Sequence, residues 1–143
     1  MTKVTFEILG RPYALRRPRF AGHAYDPPAN KAGKAKIAEA AKAVWGDKPL
    51  LRGAVRLTVI ARYQWPKSAT KAQRRAVNGF FKATNPDLDN IVKAVMDALN
   101  GVVWEDDQQV VAIYAEKIKT TLEQATKVAI EPLSEIDDAD EED

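Results

Sequence analysis

The chain has no cysteine and only one histidine, His23, in 143 residues. The missing thiols exclude disulfides and thiolate metal sites and fit a reducing cytoplasm. One imidazole leaves no basis for a His-rich zinc centre. No apolar run approaches the roughly 18 residues of a membrane helix. The opening "MTKVTFEILGRPY" lacks the apolar core of a secretory signal and reads as a strand. Any metal chemistry therefore falls to carboxylates, which favour hard cations.

Charge is unevenly spread. The formal net charge is +2, yet the last ten residues, "SEIDDADEED", hold seven acids and no base. Residues 1–133 therefore carry 22 bases against 13 acids, a net +9. Within them, "PDLDNIVKAVMDALNGVVWEDDQQVV" from Pro86 to Val111 has six acids (Asp87, Asp89, Asp97, Glu105, Asp106 and Asp107) and one base, Lys93. A basic body around one acidic island points to a polyanionic partner, with plain solubility as the alternative. Residues 1–133 are read as one domain and residues 134–143 as a disordered acidic tail.

Periodicity supplies the elements. Val4, Phe6 and Ile8 alternate as a strand. The segment from Arg11 to Pro28 holds four prolines and reads as a long loop. It carries Arg11, Arg16, Arg17, Arg19 and His23 among Tyr13, Phe20 and Tyr25. "ANKAGKAKIAEAAKAVW" reads as a basic helix with Ile37, Ala41, Val44 and Trp45 on its apolar side. "AVRLTVIARYQW" reads as a strand, and "SATKAQRRAVNGFF" as a helix capped by Ser68 and bearing Lys71, Arg74 and Arg75. Leu88, Ile91, Val92, Val95 and Leu99 predict a helix that Asn100-Gly101 ends. "QQVVAIYAEKIK" and "TKVAIEPL" predict two strands in an antiparallel hairpin. The expected fold is α/β or α+β, with a small mixed sheet of about four strands flanked by helices.

Asp87 and Asp89 are two residues apart. In an extended segment they point the same way, and the proline after Asn85 favours such a segment. One aspartate at a helix start is an ordinary cap, but a cap does not account for a second cluster after the helix. "GVVWEDD" is long enough to turn back along a helix of about 18 Å. Three convergent carboxylates would need a divalent cation to offset their repulsion, and such a site can activate water for phosphodiester hydrolysis. Lys93 stands one turn after Asp89, either as an ion-pair partner or as a contact to the scissile phosphate. Asp97 is expected to pair with Lys93 or face solvent, and Glu105 to stay outside any metal shell. "DLDNIV" lacks the glycine of a calcium-binding EF-hand loop and the preceding apolar strand of a dehalogenase-type phosphatase.

"PDLDNIVKAVMDALNG" followed by "WEDDQQV", with "RRPRF" and "AYDP" upstream, resembles the RusA family of Holliday junction resolvases, endodeoxyribonucleases of phages and prophages. The resemblance implies a Mg²⁺-dependent homodimer, with Mn²⁺ able to substitute, that resolves four-way DNA by paired symmetric nicks in the bacterial cytoplasm. By motif position it implies that Asp87, Asp89 and Asp107 are the essential acids and Lys93 the essential lysine. Asp106 is a further metal-ligand candidate. The segment before the acids departs from the family pattern: "TNP" stands there, with Lys82 a few residues back. Arg16, Arg17, Arg19, Lys71, Arg74 and Arg75 are the expected DNA contacts. Two rivals remain, a non-catalytic DNA-binding phage protein and a nuclease acting on flaps or forks.

Overall fold

In the computed structural model, which describes residues 3–75 and 80–133, alternation at the N-terminus becomes β1 (Val4–Leu9), with Phe6 and Ile8 buried. The proline-rich segment contains one regular feature that the sequence did not suggest. β2 (Arg19–Phe20) and β3 (Ala24–Tyr25) form a short antiparallel hairpin. Gly22 adopts a φ of 79° in its turn, a region that favours glycine. The prolines flank this hairpin, so they do not interrupt its pairing.

α1 (Pro28–Trp45) begins with a proline at its first position, where the missing N–H costs nothing. Ile37, Ala41 and Trp45, four residues apart, form its buried row. Val44 lies off that row and is exposed, contrary to expectation. β4 (Val55–Gln64) buries Val55, Leu57, Val59, Ala61 and Tyr63 on one face. α2 (Lys71–Arg75) is capped by Thr70 and not by Ser68. The Gln73 backbone N–H donates to Thr70 Oγ1 at 3.1 Å, and the Thr70 N–H to Gln73 Oε1 at 2.8 Å. α3 (Leu88–Leu99) presents Ile91, Val92, Ala94, Val95, Ala98 and Leu99 to the core. A single 3-10 turn at Asp107–Gln109 leads into β5 (Val110–Thr120), and β6 (Ala125–Pro132) ends the described chain.

The sheet order is β1-β6-β4-β5. β6 runs antiparallel to both β1 and β4, and β5 runs parallel to β4. The expected hairpin of β5 and β6 is not formed, because β4 lies between them. The link from Thr120 to Gln124 passes over the end of β4, where the Trp65 N–H donates to Thr120 O at 3.1 Å and the Gly10 N–H to Gln124 O at 3.0 Å. Every inward residue of β4 is at most 2% exposed. A strand that apolar gains most from pairing on both edges and from cover by a helical layer. α1 and α3 supply that layer on one face and pack against each other.

Candidate active site

The chain enters α3 in extended conformation. Asp87 has φ −68° and ψ 133° and stands at the cap position, where its backbone oxygen accepts from the Asn90 N–H at 3.2 Å. Its side chain makes no capping hydrogen bond. Leu88 turns toward the core, while Asp87 and Asp89 are exposed. Both carboxylates therefore keep their lone pairs at a helix N-terminus, where negative charge is favoured. Lys93 Nζ lies 3.9 Å from Asp89 Oδ2, at the outer limit of an ion pair, and both side chains are mostly exposed. Such a contact contributes little stability. Asp97 is exposed and is not the partner of Lys93.

A cleft of about 590 Å³ opens beside this helix start. Arg11 and Arg16 line one wall, and Asn85, Asp87 and Asn90 line the other. The walls are tied where the Leu15 N–H donates to Asn90 O at 3.0 Å. Asn30 sets the position of the cationic wall. Its buried side chain receives the Tyr13 hydroxyl and, at 2.9 Å, the Arg16 N–H. It donates in turn to Arg16 O at 3.0 Å and to Asp26 Oδ1 at 2.7 Å. Gly33 makes this possible, because a Cβ there would overlap the Tyr13 ring. Tyr13 is thus an anchor of the loop, whereas Phe20 is 78% exposed.

The second acidic group lies at the other end of α3. Gly101, at φ 75°, reverses the chain, and its N–H donates to Trp104 O at 2.8 Å. Val103 and Trp104 are then fully buried, with Trp104 Nε1 donating to Asn100 Oδ1 at 2.7 Å. Burial of these two side chains holds "GVVWEDD" at the helix C-terminus, so it does not run back along the helix. Asp106 caps the 3-10 turn: its Oδ1 accepts from the Asp107 N–H at 3.0 Å, and Gln109 Oε1 accepts from the Asp106 N–H at 3.0 Å. Asp107 Oδ2 accepts from Asn100 Nδ2 at 3.5 Å. Glu105 pairs with Arg52 at 3.1 Å, outside any carboxylate cluster.

A twelve-residue helix is about 18 Å long, and Asp107 sits by its last turn while Asp87 and Asp89 sit at its first. The expected gathering of Asp87, Asp89, Asp107 and Asp106 about one ion is therefore not made within one chain. Among the described residues, no three His, Cys, Asp or Glu side chains are grouped to hold a metal ion. The two acids at the start of α3 do fit a smaller requirement. Mg²⁺ is commonly held by one or two carboxylates together with waters and substrate phosphate, and neither carboxylate is committed to a cap.

The expected DNA contacts lie on separate elements. Arg16, Arg17 and Arg19 are exposed on and before the β2–β3 hairpin, and Lys71, Arg74 and Arg75 are exposed on α2. Sequence reasoning missed Asn30 and Lys117. Lys117 Nζ donates to Thr84 O at 2.7 Å and to Pro86 O at 2.6 Å, which fastens the turn before Asp87 to β5. The Lys82 N–H also donates to Lys117 O at 3.0 Å, and Phe81 bridges to Ile118. Nothing local in the sequence marks Lys117 as a latch. An asparagine in the first turn of a helix after two prolines is the one available sign for Asn30.

A family model described as Endodeoxyribonuclease RusA matches residues 10–131, most of the chain. The chain is also similar to Uncharacterized protein YqaN of Bacillus subtilis (strain 168). The two are 33% identical over 126 residues, which cover 82% of this chain and 88% of that protein.

Proposed function

This chain belongs to the RusA endodeoxyribonuclease family, and we propose that it is a Mg²⁺-dependent nuclease that resolves four-way DNA junctions by paired nicks. The observation that carries the reading is the exposed carboxylate of Asp87, free of capping bonds in the wall of a cleft whose other wall is Arg11 and Arg16, with exposed Asp89 two residues on at the same helix start. A bound divalent cation would lower the pKa of water and offset phosphate charge there. Asp87 and Asp89 would hold the cation at the helix start, and Lys117 keeps the preceding turn from shifting. Lys93, one turn along α3, donates to developing charge on the scissile phosphate. The basic body draws the polyanion in, and that attraction falls steeply with salt.

Asp107 joins this site from a second copy of the chain. β5 is the edge strand of the sheet, with Val111, Ile113 and Tyr114 exposed. Among the described residues, Phe81 and Lys82 cover its outer edge near Lys117 and Ile118 and leave the first half open. Antiparallel pairing of the open half with itself would carry one copy's Asp107, just before β5, toward the partner's far end of β5, where the Asp87 turn is latched. A two-fold dimer built so has two equivalent sites, as paired cuts in a symmetric junction require.

Asp89→Asn tests the chemistry. The variant should bind a synthetic four-way junction as tightly as wild type, or more tightly, and lose Mg²⁺-dependent nicking by at least about a thousandfold. Cutting at the wild-type rate would remove Asp89 from the site. The absence of a three-acid group within the described residues of one chain favours a second reading, a non-catalytic DNA binder. Retention of junction DNA by wild type, with no product at any Mg²⁺ or Mn²⁺ concentration, would establish it.

A further inference from the structure

At the Arg11 end of the cleft, four cations gather about two aromatic rings. Arg11 Cζ lies 5.1 Å and Lys82 Nζ 5.0 Å from the centroid of the Tyr63 ring. Lys119, paired in register with Tyr63 on the neighbouring strand, places Nζ 4.8 Å from the centroid of Trp65. Lys117 stands two residues before Lys119 on the same face of β5. Among the described residues, no carboxylate lies within ion-pair distance of any of the four. Their compensation among the described residues is neutral: ring faces, the Thr84 hydroxyl 2.9 Å from Lys82 Nζ, and the carbonyls that Lys117 holds. Tyr63 beneath them is 2% exposed, and its hydroxyl is buried without a hydrogen-bond partner.

Four like charges in a partly desolvated corner repel one another. The ammonium of Lys82 is accordingly held below the usual lysine range, first by burial and then by Arg11, Lys117 and Lys119. An anion with several oxygens would relieve all of this at once, because it can accept from a guanidinium and more than one ammonium. The cleft leads from Arg11 directly to Asp87.

We propose that Arg11, Lys82 and Lys119 form a phosphate-binding subsite that grips the DNA backbone at a phosphate adjoining the one presented to Asp87 and Asp89. Lys117 lends charge to this subsite, but two of its three donors are engaged by the turn before Asp87. The proposal rests on the DNA-cleaving reading and adds a specific grip on the strand. It is separate from Arg16, Arg17 and Arg19 and from the α2 cations, none of which reaches the Tyr63 and Trp65 rings.

The test uses the full chain and a fluorescent four-way junction in EDTA, so that binding is measured without cutting. Anisotropy titrations between about 50 and 200 mM salt give affinity and salt slope. The Lys82→Ala/Lys119→Ala double variant should bind about tenfold more weakly at low salt, and its slope should fall by roughly 1. Lys82→Arg/Lys119→Arg should keep the wild-type slope. Lys127→Ala, a single charge loss at an exposed position of β6, should leave the slope unchanged. Unchanged affinity and slope in the double alanine variant, with wild type binding normally, would overturn the subsite and leave the nuclease reading intact. Failure of wild type to bind the junction would sink both.

Two rival occupants have their own signatures. If inorganic phosphate alone, at constant ionic strength, shifted the Lys82 and Lys119 ammonium resonances at micromolar concentration, the site would serve a free anion and the DNA assignment would fall. If the double alanine variant weakened self-association while leaving the salt slope intact, the cations would be answering a second copy's acids, which also overturns the proposal.

Discussion

Tyr63 shows what a single residue can carry in this fold. Burial pushes its phenol up to about 12 from 10.0, and the Arg11 guanidinium pulls it part of the way back. The neutral form is favoured in the folded state, so its contribution is intact below pH 10 and is lost as pH climbs toward about 12. Two units correspond to about 3 kcal/mol at most. Tyr63→Phe should abolish this alkaline loss. At neutral pH it should be neutral to about 1 kcal/mol more stable, since it removes a buried hydroxyl without a partner. Urea denaturation of both proteins from pH 7 to 12 measures the effect as a difference, which cancels the opposite contribution of Lys82. The strand alternation made Tyr63 legible as an inward residue. The cations above it were not legible, since Arg11, Lys82 and Lys119 come from three distant parts of the chain. The same limit hid the position of Asp107. The sequence spacing allowed convergence, but burial of Val103 and Trp104 decided against it within one chain.

At the scale of elements, α3 could be read almost whole from its apolar spacing, from Asp87 at its cap to Asn100-Gly101 at its stop. α1 and β4 were equally plain, because each buries one regular row. Pairing was not: β5 and β6 look like a hairpin locally, and only competition for the edges of β4 separates them. The Arg11–Pro28 segment reads as a long loop, and Asn30 fastens it at Tyr13, Arg16 and Asp26. Asn30→Ala would leave the Arg16 N–H and carbonyl without their side-chain partners and release the wall that carries Arg11 and Arg16. The expected cost is about 2–4 kcal/mol of stability, read by denaturation. Junction affinity at low salt should fall with it while the oligomeric state is kept.

At the scale of the molecule, the proposed arrangement divides each site between two chains, with Asp87 and Asp89 from one and Asp107 from the other. This arithmetic can be checked. Asp89→Asn and Asp107→Asn homodimers should both be inactive. A heterodimer formed by co-refolding the two would have one site with both defects and one site with none. It should recover about half the wild-type nicking rate, with single nicks in place of paired cuts, seen on denaturing gels. Sites contained within single chains would each keep one defect, and the mixture would stay inactive. The RusA family assignment covers nearly all of the described chain, but this division of labour is a property of shape that no linear motif displays.

The last strand of the described chain is also an interior one. Among the described residues β6 alone joins β1 to β4, so until Ala125–Pro132 has been made, the N-terminal strand has no strand beside it and the sheet has no middle. Contacts this distant in sequence form slowly and late. A growing chain still on the ribosome would already carry Asp87 and Asp89 and the β4–β5 pair that latches their turn, yet β4 would have one edge unpaired. A chain assembled this way completes its sheet only once Ala125–Pro132 has been made, so a product truncated before residue 125 should be digested far faster than the full chain, which limited proteolysis of a 1–124 fragment would measure.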